Sequence, residues 1–198
     1  MGSLPSTAPR SPRVNSAFQR LMSVHWWMAV CYLILFVVGT WMAQLPREVS
    51  FRGSLYDFHK SIGLLTLGLL TWRILVLLQV IGKKYSKRFP KLSPKWIRNV
   101  ILHTLLYGLM WVVPVTGIFL SNSFRPNNVK FFGIVIPDIF PQSQPMVDVG
   151  RGLHFWLSYS FLALIILHML VQWKVVKANW RRFKGFVKTK FSRNAAGC

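Results

Sequence analysis

Four stretches of this chain are too apolar and too long for ordinary helices of a water-soluble protein. They run Trp26–Leu45, Ser61–Gly82, Asn99–Asn122 and Leu153–Trp173. Three contain no charged residue, and the second is interrupted only by Arg73. A hydrocarbon core about 30 Å thick is crossed by about 20 apolar residues of helix. The expected fold class is therefore all-α, an integral membrane four-helix bundle. The first stretch is too long for a cleavable signal peptide, and no A-x-A site follows it.

The net charge of +21, with 25 basic residues against four acidic ones, would suit a nucleic-acid partner if it were spread over one surface. Instead it sorts by loop. Arg10, Arg13 and Arg20 precede the first stretch; Lys83, Lys84, Lys87, Arg88, Lys91, Lys95 and Arg98 join the second to the third. Lys174, Lys177, Arg181, Arg182, Lys184, Lys188, Lys190 and Arg193 follow the fourth. All four acids, Glu48, Asp57, Asp138 and Asp148, fall in the other two loops or their edges. The excess of Lys and Arg puts both termini and the second connection in the cytoplasm, against anionic lipid rather than nucleic acid. Three segments follow: a basic, flexible lead-in over 1–20, a helical domain over 21–173, and a basic cytoplasmic tail over 174–198. Trp173, Trp180, Phe183, Phe186 and Phe191 in that tail suggest an interfacial amphipathic helix.

The last connection, Ser123 to Arg151, is long, partly apolar and holds Pro126, Pro137, Pro141 and Pro145; loops of this kind often act as lids. Pro114 lies inside the third stretch, where it can kink the helix. No repeat of 20 to 50 residues appears. The two cysteines, Cys31 and Cys198, are not expected to pair, and no C-x-x-C-H is present, which excludes covalent c-type haem.

All five histidines, His25, His59, His103, His154 and His168, fall within or beside the apolar stretches. Ionisable groups at membrane depth are costly and usually mark function, though each could simply bond a neighbouring helix. His154 and His168 are 14 residues apart. That is about 21 Å of helix, with the two side chains within about 40° of one face. Depth pairs His25 with His168 near the cytoplasmic surface, and His59 with His154 near the outer one. Two imidazoles per site, from two helices, suit bis-histidine haem ligation between helices. Zinc would need three or four ligands at one level. His103 is left over as an alternative ligand, a quinone hydrogen-bond donor or a structural residue. Arg73, 14 residues after His59, either meets a haem propionate or snorkels to the headgroups. Gly39, Gly63, Gly68, Gly108 and Gly117 admit either a macrocycle or close helix packing.

The motifs Ser-Val-His25-Trp-Trp, Phe-His59-Lys-Ser-Ile-Gly63, Leu-His103-Thr-Leu-Leu-Tyr-Gly, Pro114-Val-Thr-Gly117 and Gly-Leu-His154-x13-His168 resemble bacterial cytochrome b561 over about Asn15 to Trp173. The same core resembles the cytochrome b subunits of formate dehydrogenases and nickel–iron hydrogenases. The resemblance implies two b haems per chain, with His25 and His168 on the inner iron and His59 and His154 on the outer. It also implies electron exchange with membrane quinone in a bacterial inner membrane. Stand-alone members include a superoxide oxidase that reduces ubiquinone. With both axial positions filled, electrons must pass at a haem edge. Lys60, Arg151 and Arg52 then form either a positive funnel for an anionic donor such as superoxide or a set of propionate counter-charges. Two alternatives stay open: a membrane anchor for a soluble dehydrogenase or hydrogenase, and a haem-free transporter or structural bundle. A small-molecule or protein donor and a homo-oligomer are compatible with either redox reading.

Overall fold

The computed structural model describes residues 16–85 and 93–181. Among them are four long helices: α1 (Ser16–Gln44), α2 (Arg52–Tyr85), α3 (Pro94–Phe124) and α4 (Gln144–Val171). A short helical segment, α5, covers 173–181. All four long helices are long and apolar enough to cross a membrane. Large apolar side chains such as Trp27, Leu33, Leu78, Ile101, Trp156 and Leu170 are exposed on them. A helix that is hydrophobic all round belongs in lipid or a deep core, and lipid suits this exposure. The fold is all-α, as expected.

The helices extend past the apolar stretches that announce them. α1 begins at Ser16, within the expected lead-in, and α4 begins at Gln144, nine residues before Leu153. Phe183, Phe186 and Phe191 of the tail, and most of the basic connection after α2, lie outside the described residues.

Local chemistry sets the helix ends. Ser93 caps α3, its hydroxyl accepting from Trp96 N–H at 3.2 Å, with Pro94 in the first helical position. α3 runs unbroken through Pro114. Pro145 occupies the first turn of α4. Gln172 ends α4, its N–H reaching the His168 carbonyl at 3.0 Å.

The chain divides into two compact units. The first joins α1 and α2, together with residues 129–137; the second joins α3 and α4. Each is a helical hairpin with a loop end and an open end. The long last connection is ordered. Within the second unit, the buried Asn122 donates to Asp138 and accepts from the amides of Ile139 and Phe140. Asp138 also accepts from Asn127 N–H at 2.8 Å. Within the first unit, β1 (Lys130–Phe131) pairs antiparallel with β2 (Ile134–Val135). Phe132 and Gly133 form the turn with φ of 48° and 94°, the positive pair a two-residue hairpin of primed type demands.

Candidate functional site

In the first hairpin, His59 lies about two turns inside the start of α2. Its ring rests on the backbone of α1 at Gly39. A Cβ at position 39 would stand 3.0 Å from His59 Cε1 and 3.5 Å from Nδ1. In the second hairpin, His154 rests on Gly117 of α3 in the same way. A Cβ at 117 would be 3.1 Å from His154 Cε1 and 3.4 Å from Nδ1. Each hairpin thus seats one imidazole, near its loop end, in a notch that only glycine leaves open.

The second seat also fixes a tautomer. His154 Nδ1 lies 3.1 Å from the Val113 carbonyl, which can only accept, so Nδ1 carries the proton. Nε2 is then the lone-pair nitrogen. Thr116 Oγ1 sits 3.2 Å from the same Nδ1 and donates to the Val113 carbonyl at 2.8 Å. Metal-bound histidines are commonly held like this, with the far ring nitrogen donating to a carbonyl. The two helices of this hairpin, α3 and α4, are drawn close here, since a Cβ on Gly150, one turn before His154, would meet Leu120 Cα at 3.1 Å.

At the open end of the second hairpin, His103 and His168 stand edge to face with ring centroids 5.1 Å apart. His103 Nδ1 lies 2.6 Å from the Asn99 carbonyl, so it too carries its proton there. A neutral His103 therefore turns a lone pair, not an N–H, to any partner at Nε2.

One spacing recurs on every long helix. Fourteen residues separate His25 from Gly39, His59 from Arg73, His103 from Gly117 and His154 from His168. Both hairpins therefore follow one plan: histidine then glycine on the first helix, histidine then a second polar residue on the other. Arg73 stands where the second hairpin has His168. The two helix-to-helix offsets differ, so no single repeat period exposes the correspondence.

The family model of prokaryotic cytochrome b561 matches residues 18–183. The chain belongs to this family. Cytochrome b561 homolog 2 of Escherichia coli (strain K12) is 28% identical over 168 residues, covering 84% of each chain. As a prokaryotic cytochrome b561, the protein is a multi-pass membrane cytochrome whose redox role rests on b-type haem. The seats described above fit that group: half-buried imidazoles on glycine notches, one with Nδ1 turned to a carbonyl and Nε2 left as the ligating nitrogen.

Three of the cations near the loop ends have acidic partners. Lys60 Nζ is 2.8 Å from Asp57 Oδ1, and Lys130 Nζ is 3.3 Å from Asp57 Oδ2. Arg151 pairs with Asp148 at 2.8 Å in an exposed contact. Arg52 reaches the Tyr56 hydroxyl at 3.2 Å. Of the expected site residues, His103 and His168 are brought together within one hairpin. The expected pairs His25/His168 and His59/His154 each draw one histidine from each hairpin. Val113 and Lys130 were not expected from sequence, and Thr116 was marked there only as part of the Pro114-Val-Thr-Gly117 motif, with no contact to His154 assigned.

Proposed function

We propose that this cytochrome binds two b haems per chain and carries electrons between a donor at the loop end and membrane quinone. The observation that carries the reading is the recurrence of one device in both hairpins: an imidazole seated on glycine, with a second polar group 14 residues along the same helix face. His59 and His154 would hold one haem, and His25 and His168 the other. When bound, haem b would supply one-electron transfer. The protein's part is positional. The Val113 carbonyl orients His154, Gly39 and Gly117 give the rings room, and Arg73 supplies a positive charge for a propionate. His103, edge-on to His168, is proposed to meet quinone. Its neutral Nε2 suits accepting a hydrogen bond from a quinol hydroxyl.

The basic termini favour an orientation with the loop ends outside the cytoplasm, in a bacterial inner membrane. Superoxide is the proposed small donor. Asp57 is shared by Lys60 and Lys130, so one net positive charge remains within one turn of His59, whereas Asp148 offsets Arg151. Attraction of an anion is therefore assigned to the Lys60–Lys130 pair.

A pyridine haemochrome assay on pure protein tests the haem count, with two per chain expected. His154→Ala should remove mainly one haem and His168→Ala mainly the other. Anaerobic stopped flow of the oxidised protein with superoxide, then of the reduced protein with a short-chain ubiquinone, tests donor and acceptor. Co-purification of a stoichiometric soluble subunit, together with no reaction with superoxide, would move the assignment to a membrane-anchor subunit.

A further inference from the structure

The β1–β2 hairpin is apolar where a water-exposed turn would be polar. Residues 131–136 read Phe-Phe-Gly-Ile-Val-Ile. Phe132, Ile134 and Val135 are 59%, 68% and 45% exposed. Phe132 occupies a left-handed backbone position, φ 48°, that an asparagine would take with less strain. Strain of this kind persists only where the surroundings impose it. Here Phe132 N–H donates to Ser61 Oγ at 2.9 Å, and the Ser61 hydroxyl proton is shared between the Asp57 carbonyl at 2.8 Å and the Lys130 carbonyl at 3.1 Å.

The bonds joining Ser61 to Phe132 and Lys130 set the depth of the turn. Ser61 opens the apolar stretch of α2. The Gly39–His59 contact aligns the antiparallel helices, bringing Trp41 of α1 to the level of Asp57. Trp41 packs on Phe51 with ring centroids 6.0 Å apart, both half exposed, as aromatic residues at a membrane interface do. Ser61 lies one turn, about 6 Å, deeper than Asp57. The Lys130 ammonium reaches back up to Asp57 while its backbone stays at Ser61, the posture of a snorkelling lysine. Backbone groups are paired across β1 and β2, to Ser61, and from Ile136 N–H to the Val129 carbonyl at 2.9 Å. That pairing suits a hairpin at the boundary of a medium that cannot hydrogen-bond.

We propose that this hairpin is an interfacial anchor that inserts Phe132, Ile134 and Val135 into the headgroup–hydrocarbon boundary of the leaflet at the loop end of the first hairpin. The occupant of the apolar tip is phospholipid. The anchor holds Lys130 on Asp57, one turn from His59, so the charge beside that histidine is set by the seating of the loop in lipid. The proposal stands independently of haem content.

The test uses the full chain in phosphatidylcholine–phosphatidylglycerol nanodiscs. A nitroxide is attached at Ile134→Cys in a Cys198→Ser background, and labelling of that background alone reports any reaction at the buried Cys31. Power saturation with oxygen and with a water-soluble nickel chelate reads depth, with a label at Gln142→Cys as the aqueous reference. The expected result is greater access for oxygen than for nickel at 134, at about 5–10 Å below the headgroups, and the reverse at 142. Nickel access at 134 equal to that at 142 would place the tip in water and overturn the proposal. Loss of access to both reagents would mean protein covers the tip, and would overturn it equally. Phe132→Asn, which suits the turn and removes the phenyl, should leave the helical circular dichroism unchanged and make the 134 label shallower. An unchanged depth would remove Phe132 from the anchor.

Discussion

His154 packs on Gly117 so closely that a single added methyl carbon would come to 3.1 Å from its ring. His59 has the same relation to Gly39 at 3.0 Å. Gly117→Ala and Gly39→Ala should each force a ring to move, at a cost of about 1–3 kcal/mol of overpacking. Thermal melts should register the loss, and the optical and electron paramagnetic spectra should change for one haem while the other keeps its signature. Gly108→Ala is the control: nothing lies within 4 Å of its added carbon, and alanine favours the helix by about 1 kcal/mol.

His103 is close to His168 but bonded to Asn99. His103→Phe should leave two haems per chain by pyridine haemochrome and slow oxidation of the reduced protein by quinone. A drop to one haem would make His103 a ligand and displace His25 from that role.

Lys130 is expected to matter more than Arg151 for an anionic donor. Neutralising a charge at the rim of a docking site chiefly alters association rate and its salt dependence. Lys60→Gln and Lys130→Gln should slow haem reduction by superoxide and flatten its ionic-strength dependence, while Arg151→Gln, which also frees Asp148, should have the smaller effect. Equal rates and salt slopes in all three would remove superoxide steering from the mechanism.

Topology reporters check the orientation. A fusion near Lys91 should report the cytoplasm and one near Gln142 the opposite side. The inverse pattern would reverse the assignment of donor and quinone ends.

The four helices were legible because about 20 apolar residues in a row have few other uses, and the histidines stood out because their burial in lipid is costly. The glycine seats were not. Five span glycines looked alike in sequence, and only the pairing of α1 with α2 and α3 with α4 selects Gly39 and Gly117. The Lys130–Asp57 contact joins residues 73 apart and leaves no local trace. The β-hairpin was hidden because its turn is Phe-Gly rather than the Asn-Gly that usually announces one. Charge alone made Arg151 a candidate for steering an anion or for offsetting a propionate, and Asp148 three residues away is near enough to offset it.

The fourteen-residue step between polar positions also limits which length changes this chain can absorb. One residue added between His154 and His168 would turn the second side chain by about 100° and lift it by about 1.5 Å, carrying it off the shared face. Compensation would need a matching insertion at the same depth in another helix. Insertions in the connection after α2, or beyond Arg181, disturb no such register. A library of single-residue insertions scored for red colour should therefore show four intolerant windows, 25–39, 59–73, 103–117 and 154–168, separated by permissive ground.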